Sequence, residues 1–163
     1  MNTQFETKNS GNVAGKDEWL TPPEIIKACG EFDLDPCSPI HRPWDTAKRH
    51  YHELNDGLML PWDGRVWCNP PYGKQLGQWL EKCAMHGDCV ALTFARTETK
   101  AFHQFVWPCA DALFFFEGRL QFYHVNGTRG DTAGAPSVLI AYGSRNADAI
   151  KNCGLKGRFV SLK

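Results

Sequence analysis

Arg65-Val66-Trp67-Cys68-Asn69-Pro70-Pro71-Tyr72 is the stretch on which the fold turns. Residues 65–68 read as a strand, and two adjacent prolines with fixed φ then end it. Residues 75–85 read as a helix, with Leu76, Trp79, Leu80 and Cys83 on one face. Working outward, the same alternation continues. Upstream, Thr21-Pro22-Pro23-Glu24 suits a helix start, with Thr21 as N-cap, Pro22 at the first helical position and Gly30 as the stop. A short strand over 32–35 halts at Pro36. Downstream, 89–94 is an apolar strand and 98–107 a helix closed by Pro108. Strands are expected over 112–116, 120–124 and 137–142, the last two separated by a glycine-rich loop beginning at Val125. A short helix over 146–152 and a strand over 158–161 follow. This pattern predicts an α/β sheet covered on both faces, with an antiparallel end. Ligands of such sheets sit beyond the carboxyl ends of the strands. That rule points to Asp35-Pro36 and to Asn69-Pro70-Pro71-Tyr72.

The chain has 163 residues, enough for one domain and small for two. Residues 1–16 are polar and glycine-containing and read as a flexible tail, leaving 17–163 as a single domain. No apolar run spans a bilayer and no leader opens the sequence, so a cytoplasmic protein is expected. Eighteen Lys and Arg balance eighteen Asp and Glu, so a nucleic-acid partner must be held by a local basic surface. The seven cysteines are scattered without a C-x-x-C pair, which implies reduced apolar residues rather than a metal site.

The rigid Asn69-Pro70-Pro71-Tyr72 turn suits one kind of chemistry. Pro71 restricts Pro70, so the carbonyls of the turn point in set directions. An adenine amine is a poor nucleophile because its lone pair is delocalised into the ring. If the Asn69 oxygen and the Pro70 carbonyl each accept one amine hydrogen, the nitrogen is drawn toward tetrahedral geometry. Its lone pair can then face a methyl donor, and positioned dipoles supply the catalysis. Tyr72 would stack on a base that has left the duplex.

These residues resemble the small, phage-type DNA N6-adenine methyltransferases of the Dam-like family, with an NPPY motif at Asn69, Pro70, Pro71 and Tyr72. The resemblance runs from about Asp17 to Tyr142 and implies a Rossmann-like methyltransferase sheet, S-adenosylmethionine as cofactor, DNA as partner and the cytoplasm of a phage host. Asp17-Glu18-Trp19-Leu20-Thr21-Pro22-Pro23 is similar to the family's opening segment, implying that Trp19, Thr21 and Pro22 lie along the methionine end of the cofactor. Asp35, Pro36 and Cys37 fall in its first cofactor motif. Asp56, in Asp56-Gly57-Leu58, is placed to reach the cofactor's adenine. Glu117 to Phe122 and Ala135 to Val138 resemble its late strand motifs. One departure is that Asp35-Pro36-Cys37-Ser38-Pro39 lacks the glycines of larger relatives. The acid that binds the ribose is then Asp35 itself, Asp45 or Glu53.

Lys74, Arg96, Lys100, Arg119 and Arg129 follow strand ends and are candidates for DNA contact. No separate recognition domain fits the length, so specificity must come from loops at 38–51 and 125–135. Two other readings stand beside DNA methylation. The motif also serves an enzyme acting on a protein glutamine amide or an RNA adenine, and the fold also serves a catalytically inactive DNA-binding module.

Overall fold

A sheet packed on both faces needs strands that bury side chains in both directions. In the computed structural model, which describes residues 18–163, the elements run β1 (Trp19–Leu20), α1 (Pro23–Ala28), β2 (Leu34–Asp35), β3 (Arg49–His50), β4 (Val66–Cys68), α2 (Leu76–His86), β5 (Cys89–Phe94), α3 (Lys100–Phe105), β6 (Ala112–Phe116), β7 (Gln121–His124), β8 (Arg129–Thr132), β9 (Ser137–Tyr142), α4 (Ser144–Lys151) and β10 (Gly157–Ser161). The tail expected over 1–16 lies outside the described residues. Along β4, Val66 and Cys68 join one core and Trp67 the other. In β5, Cys89 and Ala91 alternate with Val90 and Leu92 in the same way. Helices α2 and α3 cover the first face through Trp79, Leu80, Cys83 and Phe102. Helices α1 and α4 cover the second through Ile25, Ile26 and Ile150.

The seven-stranded sheet has the order β10-β6-β9-β5-β4-β2-β3. Strands β3, β2, β4 and β5 are mutually parallel, whereas β9 pairs antiparallel with both β5 and β6, and β10 antiparallel with β6. This is a mixed sheet compatible with a methyltransferase fold. A second sheet, β1-β7-β8, is antiparallel throughout. Arg65 pins α1 to the sheet. Its guanidinium donates to the carbonyls of Cys29 and Glu31 and to Asn146 Oδ1, and it stacks 4.2 Å from the Phe32 ring centroid.

Four local expectations change. Thr21 does not cap α1, whose N-cap is Pro22 without a side-chain acceptor; the Thr21 hydroxyl is taken by Asn69 instead. The strand expected over 32–35 shortens to Leu34–Asp35. Within the irregular region before β4, Arg49–His50 forms an edge strand through parallel backbone pairing with β2. Charged edge strands of this kind carry no hydrophobic pattern to read. Part of the glycine-rich loop is strand β8, paired with β7 and with only Gly130 buried.

Candidate active site

Strands β2, β3, β4 and β5 all end on one side of the sheet, and a cavity of about 940 Å³ opens there. Its wall takes Pro36 and Cys37 from beyond β2, His52 and Glu53 from beyond β3, and Phe94 from the end of β5. From beyond β4 it takes Asn69, Pro70, Pro71 and Tyr72. The second sheet closes the opposite side with Trp19, Phe122 and residues 131–134. The volume lies within the range of about 300–1,000 Å³ usual for small-molecule sites. Glu18, Glu53, Asp56 and Asp131 line the cavity, and among the described residues no Lys or Arg does. That wall favours a cationic ligand.

Asn69 is oriented from two sides. Its Nδ2 donates to Thr21 Oγ1 at 3.1 Å, which leaves Oδ1 as the open end of the amide. Its backbone carbonyl accepts from Cys37 Sγ at 3.3 Å. Neither Asn69 Oδ1 nor the Pro70 carbonyl accepts a hydrogen bond within the described residues. Two acceptors held at the cavity wall by fixed backbone suit an amine with two hydrogens. Tyr72 lies at the mouth, 40% exposed, its ring stacked on Phe94 with centroids 4.2 Å apart and planes 5° apart.

The residues expected to contact a cofactor separate into two layers. Trp19, Pro36, Cys37, Asp56 and Asn69 line the cavity. Thr21 and Pro22 are buried behind it, Thr21 acting through Asn69. Asp35 also stands behind the wall, 4% exposed. Its Oδ1 accepts from the Cys37 backbone and its Oδ2 from Thr46 Oγ1 at 2.5 Å. Burial pushes its carboxyl up to about 6, against the pull of those two hydrogen bonds and of Arg42. Asp35 therefore holds the Pro36-Cys37 turn rather than facing the cavity. Asp45 is exposed and paired with Arg42, away from the wall. Of the acids considered for the ribose, Glu53 lines the cavity.

Lys74, Arg96, Lys100, Arg119 and Arg129 are all exposed, and none lines the cavity. Lys74 lies two residues beyond Tyr72 and Arg96 two beyond Phe94, so both flank the stacked pair; the Arg96 guanidinium is 6.0 Å from the Phe94 ring centroid. Arg119 donates to the carbonyl of Ala133 on the rim, and Arg129 to the Tyr123 hydroxyl. The two segments expected to carry specificity meet in space, since a Cβ on Gly127 would lie 3.4 Å from Pro43 Cγ; next to them Trp44 stands edge-on to Tyr123 of β7 at 5.2 Å. Sequence reasoning passed over Phe94, which looks like the last residue of a core strand. It also passed over Lys82, whose ammonium reaches three carbonyls of the 57–60 segment. Nothing in a solitary helical lysine gives that away. Among the described residues no group of three or more His, Cys, Asp or Glu is arranged to hold a metal. No helix among them is long and apolar enough to cross a membrane.

A family model described as DNA N-6-adenine-methyltransferase (Dam) matches residues 8–147. No curated protein and no solved structure matches the chain.

Proposed function

Because the chain belongs to the DNA N-6-adenine-methyltransferase (Dam) family, which points to adenine methylation in DNA, we propose that it transfers a methyl group from S-adenosylmethionine to the N6 amine of an adenine flipped out of DNA. The observation that carries this reading is the Asn69-Pro70 acceptor pair, open toward a cavity that, among the described residues, is lined by four carboxylates and no Lys or Arg. The mixed sheet is read as a Rossmann-like methyltransferase core with its cofactor at the carboxyl ends of the parallel strands.

Bound S-adenosylmethionine supplies an activated methyl electrophile, and its positive charges match the acidic wall. Trp19, Pro36, Cys37 and Asp56 are the residues that would hold it. Asn69 Oδ1 and the Pro70 carbonyl each accept one N6 hydrogen and direct the nitrogen lone pair into the cavity. Thr21 keeps the Asn69 amide from rotating. Tyr72, backed by Phe94, presents its other face to the flipped base. Lys74 and Arg96 sit where phosphates flanking that base would pass.

Transfer of a labelled methyl group to duplex DNA, RNA and a glutamine-containing peptide tests the reading directly. Label is expected in DNA alone, as N6-methyladenine. Asn69→Ala is expected to abolish most turnover while leaving cofactor affinity within a few-fold, since its carbonyl acts on the amine in the transition state. An Asn69→Ala enzyme that keeps most of its turnover would remove Asn69 from the mechanism.

A further inference from the structure

The wall segment from Asp56 to Leu60 gathers three of its carbonyls around one cation. Lys82, on α2, donates through Nζ to the carbonyls of Gly57, Leu58 and Leu60 at 3.1, 2.7 and 2.5 Å. An ammonium has three donors, and all three are used here. The Trp62 indole adds a fourth hydrogen bond to the segment, donating to the Gly57 carbonyl at 2.8 Å, and the Lys82 ammonium lies 5.1 Å from the Trp62 ring centroid. Three carbonyls converging on one point would repel each other without a positive charge between them.

The segment so gathered has no slack. Gly57 presses on the turn after β2, where an added Cβ would lie 1.9 Å from the Pro36 carbonyl oxygen. Asp56 has φ 55°, the only non-glycine residue with positive φ among the described residues. A left-handed aspartate persists only where its surroundings hold it. Packing holds one side of the segment, where Gly57 is buried and Leu58 lies on the first core, but Met59 is 79% exposed. Asp56, Gly57 and Leu58 all line the cavity, so what Lys82 fixes is cavity wall.

We propose that Lys82 is a positioning residue for cofactor binding: it clamps the 57–60 carbonyls and thereby sets the Asp56 carboxylate against the ligand. This rests on the reading that the cavity holds S-adenosylmethionine. The two are separable by calorimetric titration of S-adenosylmethionine into the full chain. Failure of wild type to bind overturns the cofactor reading and this inference with it; wild-type affinity in Asp56→Ala overturns this inference alone. Given binding in wild type and weaker binding in Asp56→Ala, Lys82→Met is expected to weaken affinity about tenfold or more. The KM for cofactor should rise in step, with kcat and the KM for DNA within about threefold, a split that general loss of structure would not produce. Combining Lys82→Met with Asp56→Ala should cost less than the sum of the two, because one acts through the other. Lys82→Arg keeps the charge but cannot bring one nitrogen to all three carbonyls, so a smaller loss of several-fold is expected. If Lys82→Met does not fold, this variant decides. A folded Lys82→Met chain with wild-type affinity, or additive losses in the double variant, overturns the proposal; so does unchanged affinity in Lys82→Arg where Lys82→Met fails to fold.

Discussion

Tyr72 shows what a single residue reveals in sequence and what it hides. The motif it closes was legible because two prolines after a strand fix backbone directions whatever the rest of the chain does. That its ring leans on Phe94 was not legible, since a phenylalanine ending an apolar strand looks like core. The setting of Asp35 was hidden for a related reason. An aspartate before proline at a strand end serves equally as ligand or as turn holder, and the hydroxyl that engages it here, on Thr46, belongs to a separate turn. The Tyr72–Phe94 stack carries a prediction. Its hydroxyl makes no hydrogen bond among the described residues, so Tyr72→Phe should keep near-wild-type binding of DNA bearing an extrahelical adenine. Tyr72→Ala should lose about 1–3 kcal/mol, the usual worth of a base–aromatic contact. Phe94→Ala removes the backing and should lose a comparable amount, with the double variant less than additive. Titration with a fluorescent base analogue at the target position measures all four. Equal damage from Tyr72→Phe and Tyr72→Ala would mean that the hydroxyl, not the stacked face, is what matters.

Elements were readable from sequence where burial imposed a period and unreadable where backbone pairing alone made them. Strands β5, β6 and β9 have the expected bounds because both faces of each carry apolar side chains. Strand β8 was taken for part of a loop because Arg129-Gly130-Asp131-Thr132 offers no apolar alternation. What seats it is a contact made possible by a missing side chain. A Cβ on Gly130 would fall 2.5 Å from Trp19 Cζ3 and 2.9 Å from the Phe122 carbonyl oxygen. The hairpin therefore lies flat on Trp19, and residues 131–134 reach the cavity rim. Gly130→Ala should force Trp19 or β7 to move, at a cost of about 1–3 kcal/mol, as for other overpacked sites. Because Trp19 lines the cavity, cofactor affinity should fall together with the melting temperature. Thermal melts with and without S-adenosylmethionine check this, and unchanged values in both would show that the hairpin does not bear on Trp19.

At the scale of the whole molecule, the parallel edge of the sheet is where stability and pH are coupled. Asp35 is buried there, and burial raises its carboxyl from the ordinary 3.8 to about 6. Between those values the folded chain holds more protons than the unfolded chain. This contribution to stability is fully present below 3.8 and is lost as pH rises through about 6. His50, joined to the same region through the Thr46 backbone, works the other way. Burial, and then the Arg42 charge, hold its imidazole below the ordinary 6.5, so the folded chain binds fewer protons just under that pH and gains stability as pH rises to it. The two trends oppose each other in the wild-type curve, and a difference measurement separates them. Asp35→Asn keeps an acceptor for the Cys37 backbone N–H and offers its amide to Thr46 Oγ1, but it does not ionise. The melting temperature of Asp35→Asn minus that of wild type should therefore become more positive between about pH 4 and pH 7. A gain of about 1 kcal/mol over that range corresponds to roughly 2–4 °C for a chain of this size. A flat difference would mean that Asp35 ionises alike in folded and unfolded chains. Cofactor affinity at neutral pH supplies the second half of the argument. A residue behind the wall, holding the Pro36-Cys37 turn, should leave that affinity within a few-fold when its shape is kept and its charge removed. A carboxylate bonded directly to the ligand could not be neutralised so cheaply.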